Sequence, residues 1–432
     1  DYIRYPIKMN MTKSRQKIGK EDEQEEYISQ ETLNSMVPIW KRPKSEVEPE
    51  DYAAFYKEKF GDFSDPAKVI SSSTEGTATY NALLFIPGRQ PYDFYTKEYE
   101  KGLQLYASGV LIMEKCGDLL PDHFSFVKGL VDSQDLSLNI SREMLQNDGQ
   151  LRLIRNSLER KIRSELAGWL ANEREQYEAF FKNFGRQLKL GAYAGFGAEA
   201  DNLKDLLLFY SANEQKMVTL AEYVEKMPEG QPYIYYAAGD SADRLAKLPQ
   251  AELVKEKGYD LLLLTEEVDE FVIQVLRQYK EKELRNISGG DLGLESEEEK
   301  EEVKKQNEDN KDLFSFMKEA LGDKVTEVKA SGRLSGSHPG IITASGGLSL
   351  EMERVLNSMP NRPDAPPVKS EKVLEVNAEH PVFAKLKALY ADDQDRLKQY
   401  AQILYDQAML IEGMPIEDPV AYAQNVIGLL SE

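Results

Sequence analysis

The sequence predicts an α/β (α+β) protein of several domains that ends in a helix bundle. Its 432 residues are too many for one ordinary hydrophobic core, which favours about two to four domains. Strand-like apolar runs alternate with helical patterns over residues 1–290, an order typical of α/β layers. The last part of the chain is strongly helical, so a mixed α+β domain is expected to close it.

The first predicted unit is a large α/β subdomain over residues 1–135. Residues 8–31 are polar and charged, which predicts a loop or a hairpin tip. Strands are predicted at 79–87 and 103–113, where apolar residues are dense. An aromatic loop that contains Tyr92 and Phe94 lies between the two strands.

A helical connector is predicted over residues 136–216, followed by a small α/β subdomain over 217–290. In the connector, apolar residues recur at helical spacing from Leu151 to Leu166. In the small subdomain, strands at 233–236 and 259–264 alternate with helices at 245–257 and 268–278. This order predicts one right-handed crossover unit.

Residues 291–308 hold a dense run of charge and predict a linker or a solvated helix, with a domain boundary there. The final domain is predicted over 309–432. Two terminal helices carry apolar faces, which a bundle between two copies of the chain would bury. The residues predicted for this dimer interface are Leu397, Tyr400, Leu404, Ala408, Ile411, Val426 and Leu430.

Composition excludes several classes of function. The formal net charge of −21 makes nucleic acid an unlikely partner. The single cysteine, Cys116, fits a reducing cytoplasm, and no apolar run reaches the length of a membrane span. The histidines lack a second ligand at metal spacing, so no metal site is predicted. Phosphate-binding glycine motifs and a complete catalytic constellation are also missing, which indicates an accessory or binding role.

One segment resembles a known family closely. Residues 126–146 read FVKGLVDSQDLSLNISREMLQ, similar to the catalytic-loop signature of the ninety-kilodalton heat-shock chaperones. The resemblance continues in LNSMVPIW at 33–40, LFIP at 84–87, YVEKMPEGQ at 223–231 and LLTEEVDE at 263–270. It covers nearly the whole chain and is weaker after residue 310. The chain is therefore identified as the middle and C-terminal domains of a bacterial member of this family.

The resemblance implies an ATPase whose site is divided between two domains. ATP and Mg²⁺ would bind to an N-terminal domain that we expect to be absent, so this chain should bind no cofactor and should be inactive alone. Arg142 would reach the γ-phosphate, with Gln146 one helical turn later. Leu136 and Asn139 would dock on the ATP-binding domain. From spacing alone, a surface ion pair would be the better interpretation of Arg142.

The resemblance also implies surfaces that bind unfolded or partly folded client proteins. Core packing is the simpler interpretation of each candidate taken singly, although a Met, Leu and Val stripe suits an adaptable surface. Further implied partners are a second copy of the chain and the seventy-kilodalton heat-shock chaperone system. The candidate client-binding residues are Trp40, Tyr92, Phe94, Glu270, Phe271, Leu348, Met352, Val355 and Leu356.

Two other functions are kept as alternatives. A transducer segment like that of type II topoisomerases would need basic DNA-binding surfaces, which the net charge of −21 disfavours. Retention on heparin at low salt would revive it. A dimeric scaffold without any link to ATP is the second alternative. It would be favoured if Arg142→Ala changed nothing in a reconstituted ATPase.

Overall fold

The computed structural model describes residues 5–16, 24–33, 36–136, 149–334, 338–359 and 366–430. It is a mixed structure of many helices and several separate sheets, which confirms the predicted fold class. The chain divides into two compact units, Asp1–Gln187 and Leu188–Glu432. Each unit has its own sheets and its own buried apolar clusters.

The first unit contains a separate two-stranded hairpin and a five-stranded sheet. Its strands are β1 (Lys8–Gln16), β2 (Gln24–Thr32), β3 (Pro66–Thr74), β4 (Tyr80–Pro87), β5 (Leu103–Ala107), β6 (Val110–Cys116) and β7 (Lys128–Ser133). The sheet order is β3-β4-β7-β5-β6, in which β5 and β7 are parallel and the other neighbours antiparallel. The segment that follows β7 in the sequence therefore begins at the central strand of this sheet.

Two strand predictions in this unit were wrong in detail. Residues 103–113 were predicted as one strand, but they contain a hairpin that turns at Ser108 and Gly109. Both turn residues have positive φ angles, 49° and 85°, as a tight hairpin turn requires. Residues 8–31 were predicted as a loop or hairpin tip, and they contain most of the β1-β2 hairpin, whose strands are nine residues long.

Among its described residues, the first unit also contains the α-helices α1 (Pro49–Phe60), α2 (Gly149–Asn172) and α3 (Arg174–Gly197), the last of which continues into the second unit. Helix α1 packs Tyr56 on Phe85 of β4, with ring centroids 5.1 Å apart. The apolar stripe predicted for the connector is buried along α2. Its buried members are Leu151, Ile154, Leu158, Ile162, Leu166 and Trp169.

The second unit begins with a small α/β layer built on a six-stranded sheet. Its strands are β8 (Phe209–Ser211), β9 (Lys216–Val218), β10 (Ile234–Ala238), β11 (Leu261–Leu264), β12 (Gln278–Tyr279) and β13 (Lys282–Asn286). Its helices are α4 (Ala200–Leu203), α5 (Leu220–Glu225), α6 (Ala242–Leu245), α7 (Pro249–Glu256) and α8 (Asp269–Leu276). Strand β10 runs parallel to both β11 and β13. Parallel neighbours need crossover connections, and the helices between these strands in the sequence provide them.

The segment predicted as a charged linker is mostly helical. Helix α9 (Glu297–Asp309) begins at Ser296, whose hydroxyl accepts from the Glu299 backbone while the Glu299 carboxylate accepts from the Ser296 backbone. Three glutamates in its first turn also favour the helix start, because carboxylates stabilise the positive end of the helix dipole. No residue of this helix is fully buried, in line with the solvated helix that the charge pattern allowed.

The last part of the chain is a three-stranded sheet covered by helices. Its strands are β14 (Glu327–Ala330), β15 (Gly340–Ser345) and β16 (Glu371–Val376), in the order β14-β16-β15. Its helices are α10 (Lys311–Leu321), α11 (Leu350–Ser358), α12 (Pro381–Asp392), α13 (Gln394–Ile411) and α14 (Pro419–Leu430). One apolar core joins α10, the sheet, α12 and α13.

Within the described ranges, no helix combines the length and the apolar character that crossing a lipid bilayer requires. The same residues contain no group of three or more His, Cys, Asp or Glu side chains that could hold a metal ion.

Candidate functional site

The residues predicted to complete an ATPase site lie on the segment between β7 and α2. Leu136 lies in the described first part of this segment and is 5% exposed. Asn139, Arg142 and Gln146 lie outside the described residues, so their roles stay predictions.

The start of that segment is held by hydrogen bonds to the beginning of β4. The Ser133 hydroxyl donates to the Thr79 carbonyl oxygen at 2.9 Å, and the Thr79 amide donates to the Asp135 carboxylate at 2.5 Å. The Asp135 amide in turn donates to the Ser133 hydroxyl oxygen at 3.2 Å. These hydrogen bonds therefore hold residues 133–135, at the end of the central strand β7, against the start of β4.

Trp40 is a buried core residue, although it was a candidate for client binding. It is 4% exposed and packs on Tyr106 with ring centroids 5.3 Å apart. Its indole nitrogen donates to the Asp132 carboxylate at 3.0 Å, and the Lys41 ammonium lies 2.6 Å from the same carboxylate oxygen. At this exposure Trp40 offers little surface to another protein.

The aromatic loop between β4 and β5 divides its side chains between core and solvent. Phe94 is 5% exposed and is surrounded edge-on by Tyr95, Tyr99 and Phe184, at centroid distances of 4.9, 4.8 and 5.7 Å. Tyr92 is 100% exposed. Phe94 therefore anchors the loop, and Tyr92 is the member that another molecule can reach.

Glu270 is buried at the start of α8, with only 2% of its surface exposed. Its carboxylate accepts hydrogen bonds from Ser349 at 2.6 Å, Asn286 at 2.7 Å and Tyr236 at 3.4 Å. Burial raises the pKa of Glu270 to about 7, although these hydrogen bonds oppose the shift. These three partners are uncharged, so the cost of burying the carboxylate is only partly offset.

Phe271, the next residue, is 8% exposed and meets the ring of Tyr193 edge-on at 5.5 Å. Tyr193 itself is 42% exposed. Helix α3 departs from helical geometry three residues before its end, where Phe196 has a φ of 57° and is completely exposed. Tyr193 and Phe196 were not among the predicted site residues, because the alanines and glycines around them indicate only a loop.

Helix α11 presents part of the predicted apolar stripe. Leu348, Met352 and Leu356 are half-buried, whereas Val355 is 2% exposed and belongs to the interior. Met359, just after the helix, is exposed and extends the stripe beyond the predicted set. Helix α11 packs against α8 within the second unit.

The terminal helices divide their apolar residues differently from the sequence prediction. Leu397, Leu404 and Ala408 lie in the chain's own core, at 0%, 5% and 1% exposure. Tyr400, Ile411 and Val426 are half-buried, and the Leu430 side chain lies outside the described part. The large apolar side chains that α13 and α14 expose are Leu410, Val420 and Ile427.

Comparison with known proteins decides the family. The model of the Hsp90 protein family matches residues 2–432. The chain belongs to the Hsp90 family. The Hsp90-type chaperone protein HtpG of Clostridium acetobutylicum is 56% identical over 430 residues, which are 100% of this chain and 68% of that protein. HtpG of Clostridium perfringens is 55% identical over 430 residues, again 100% of this chain and 68% of that protein. HtpG of Oceanobacillus iheyensis is 54% identical over 426 residues, which are 99% of this chain and 67% of that protein.

This Hsp90-family chain is a molecular chaperone of the bacterial HtpG type, as the resemblance predicted. Chaperones of the Hsp90 family are dimeric and bind client proteins. The family binds ATP through its N-terminal domain. The topoisomerase-like alternative is not favoured, because the family match runs along the whole chain.

Proposed function

We propose that this chain is the part of an ATP-driven chaperone that completes the ATPase site, holds client proteins and joins two protomers. The observation that carries the proposal is the unbroken signature at 126–146, inside a family match over residues 2–432. We also propose that it works in the cytoplasm and cooperates with the seventy-kilodalton heat-shock chaperone system.

In the proposed mechanism, ATP with its Mg²⁺ supplies the phosphoryl group that is transferred to water. The contribution of this chain is Arg142, whose permanently charged guanidinium stabilises negative charge on the γ-phosphate oxygens. Gln146 lies one helical turn later in the sequence and supports the same site. Asn139 docks the segment on the ATP-binding domain, and Leu136, which is 5% exposed, supports the segment from the interior.

For client binding, we propose that half-buried and exposed apolar residues receive unfolded segments. Tyr92 offers one such site, and Met352, Leu356 and Met359 offer another along α11. Methionine side chains suit this task, because they adapt to partners of different shapes. Phe94, Val355 and Trp40 support these surfaces from the interior.

The ATPase role is tested by mixing the full chain with the separately produced ATP-binding domain of an HtpG relative. We expect ATP hydrolysis to rise on mixing and Arg142→Ala to reduce it at least about tenfold, since arginine fingers contribute about 10³–10⁵ in kcat elsewhere. Arg152→Ala is the matched control, because Arg152 is an exposed arginine on α2, near the same segment. Equal rates for wild type and Arg142→Ala would favour the scaffold alternative.

A further inference from the structure

Helix α11 is fastened to its own domain by two polar side chains. The Glu353 carboxylate accepts from the Ser370 amide at 2.7 Å, the Ser370 hydroxyl at 2.5 Å and the Lys372 ammonium at 2.6 Å. Near the end of the helix, the Asn357 amide group donates to and accepts from the backbone of Val368, at 2.8 and 2.9 Å. Both attachments hold the helix to the chain next to β16.

A third attachment leads to the small α/β layer instead. The Ser349 hydroxyl oxygen accepts from the Met352 amide at 3.0 Å and so caps the start of α11. The same hydroxyl donates to the Glu270 carboxylate at 2.6 Å. The other carboxylate oxygen of Glu270 is held by Asn286 of β13 and Tyr236 of β10. One carboxylate thus joins two strands of the layer to the first turn of α11.

This attachment connects α8 with α11, and both helices carry apolar side chains. Phe271 follows Glu270 directly on α8, and it packs against the half-exposed Tyr193. Met352 and Leu356 lie one and two helical turns after Ser349 on α11. Because α8 and α11 pack against each other, the spacing between the two sets depends on where the start of α11 is held.

We propose that Glu270 is a positioning residue: through the Ser349 hydroxyl it sets α11 against α8, and so fixes the spacing of the apolar residues that receive an unfolded client segment. This inference rests on the proposed client-binding role of α11. It assigns Glu270 a different task from the direct client contact that the family resemblance implied. The occupant of the surface is an extended polypeptide segment with apolar side chains.

The chemistry of Glu270 favours positioning over simple packing. A buried carboxylate with uncharged hydrogen-bond partners is expensive, and a neutral side chain of similar shape would be cheaper. Burial raises the pKa of Glu270 to about 7, and the nearby Glu351 carboxylate acts in the same direction. Tyr236, whose own pKa is raised well above 10 by burial, stays a neutral donor at any relevant pH.

The direction of the pH effect follows from this pKa. A carboxyl whose pKa is raised in the docked state favours docking fully below its ordinary value of 4.5. That contribution is lost as the pH rises through about 7. The attachment of α11 should therefore loosen as the pH rises from about 4.5 to about 7, and Glu270→Gln should remove this part of the pH dependence.

The test uses the full chain and two readouts: hydrogen exchange of the α11 amides, and the affinity for a permanently unfolded, fluorescently labelled model protein. We expect Glu270→Ala, which removes the acceptor, and Ser349→Ala, which removes the donor, each to speed exchange in the first turn of α11 and to weaken client affinity about threefold to tenfold. Ser349→Thr keeps the hydroxyl and should restore both readouts. Ser349→Asp keeps a helix cap but replaces the donor by a second carboxylate, so at pH 8 it should behave like Ser349→Ala.

A double-mutant cycle tests whether the hydrogen bond between Glu270 and Ser349 is the cause of the weaker client binding. If Glu270 acts through Ser349, the variant that combines Glu270→Ala with Ser349→Ala should bind client no more weakly than the weaker single variant. Glu353→Gln is the comparison, because it weakens α11 only within its own domain and should leave the pH dependence unchanged. Additive losses in the cycle, or the same pH dependence in wild type and Glu270→Gln, would overturn the inference.

A further variant separates this inference from the proposed function. Leu356→Ala removes an apolar contact on α11 without touching Glu270. If Leu356→Ala binds client as wild type does, the client surface itself is wrong and the positioning role has no purpose. If Leu356→Ala binds more weakly while Glu270→Ala changes neither exchange nor affinity, only the positioning role fails.

Discussion

Tyr92 and Phe94 lie two positions apart in one loop, yet one is 100% exposed and the other 5%. Phe94 is enclosed by three aromatic rings, which fix the loop that carries Tyr92. The sequence identifies this loop by its aromatic residues, but it does not say which ring faces solvent. That choice depends on Phe184, which lies about ninety positions further along the chain.

A prediction at this scale separates the two rings. We expect Tyr92→Ala to weaken binding of an unfolded model protein about threefold to tenfold with unchanged thermal stability, because an exposed aromatic side chain contributes to partners and not to the core. Phe63→Ala is the control, since Phe63 is also 100% exposed in the same unit. Fluorescence anisotropy gives the affinities, and equal affinities for both variants would exclude Tyr92 as a client contact.

Trp40 shows why residue roles are hard to read from sequence alone. Its indole nitrogen donates a hydrogen bond to Asp132, which lies 92 positions away in the sequence. No local sequence pattern predicts a contact over that separation. The motif around Trp40 identifies the family correctly. The same motif does not tell whether the ring serves the core or a partner, because both uses favour a large aromatic residue.

At the scale of elements, periodicity predicted helices well and predicted their partners poorly. The stripe of α2 was found because its apolar residues recur with the helical repeat from Leu151 to Leu166. The stripe of α13 was found in the same way and was assigned to a second chain. In the structure Leu397 and Ala408 pack into the chain's own core. An apolar stripe alone does not show whether a helix packs against its own chain or against a second copy.

Helix α13 ends at a second buried carboxyl, Glu412. It accepts hydrogen bonds from Gln250 at 2.7 Å and Ser288 at 2.9 Å, which join the helix end to the small α/β layer. Burial raises the pKa of Glu412 to about 7, against the opposing effect of these bonds and of Arg244. Its contribution to stability is therefore complete below its ordinary value of 4.5 and is lost as the pH rises through about 7.

A pH-dependent prediction follows for this helix end. Glu412→Gln should raise the thermal midpoint of the second unit at pH 8 by about 2–4 °C, since about 1 kcal/mol produces that shift in a domain of this size. At pH 5 the variant should gain little, because the wild-type carboxyl is then largely protonated. Calorimetry at both pH values measures the difference, and a stabilisation of equal size at pH 5 and pH 8 would contradict this explanation.

At the scale of the whole molecule, the proposed dimer gives the sharpest prediction. We expect a molar mass near twice 49.1 kDa by light scattering, persistent on dilution. The variant with Val420→Asp and Ile427→Asp should shift the mass towards 49.1 kDa, because both side chains are exposed on α14 and a buried unpaired charge is costly.

The control for this prediction is Leu404→Asp, which places the same charge in the chain's own core. We expect it to lose helical circular dichroism and to aggregate, and not to give a folded monomer. A wild-type chain that is monomeric at every concentration would remove the dimer. A dimer that persists in the α14 variant would place the interface elsewhere.

The position of Cys116 has a practical consequence for labelling experiments. It is the only thiol in 432 residues, and at the end of β6 it is 1% exposed. A cysteine introduced at a surface position, such as that of Tyr92 or Met359, should therefore react with a maleimide dye far faster than the native one. Site-specific labels for energy-transfer measurements can then be attached to a chain that keeps Cys116. Distances within the protein can be measured without replacing this buried residue.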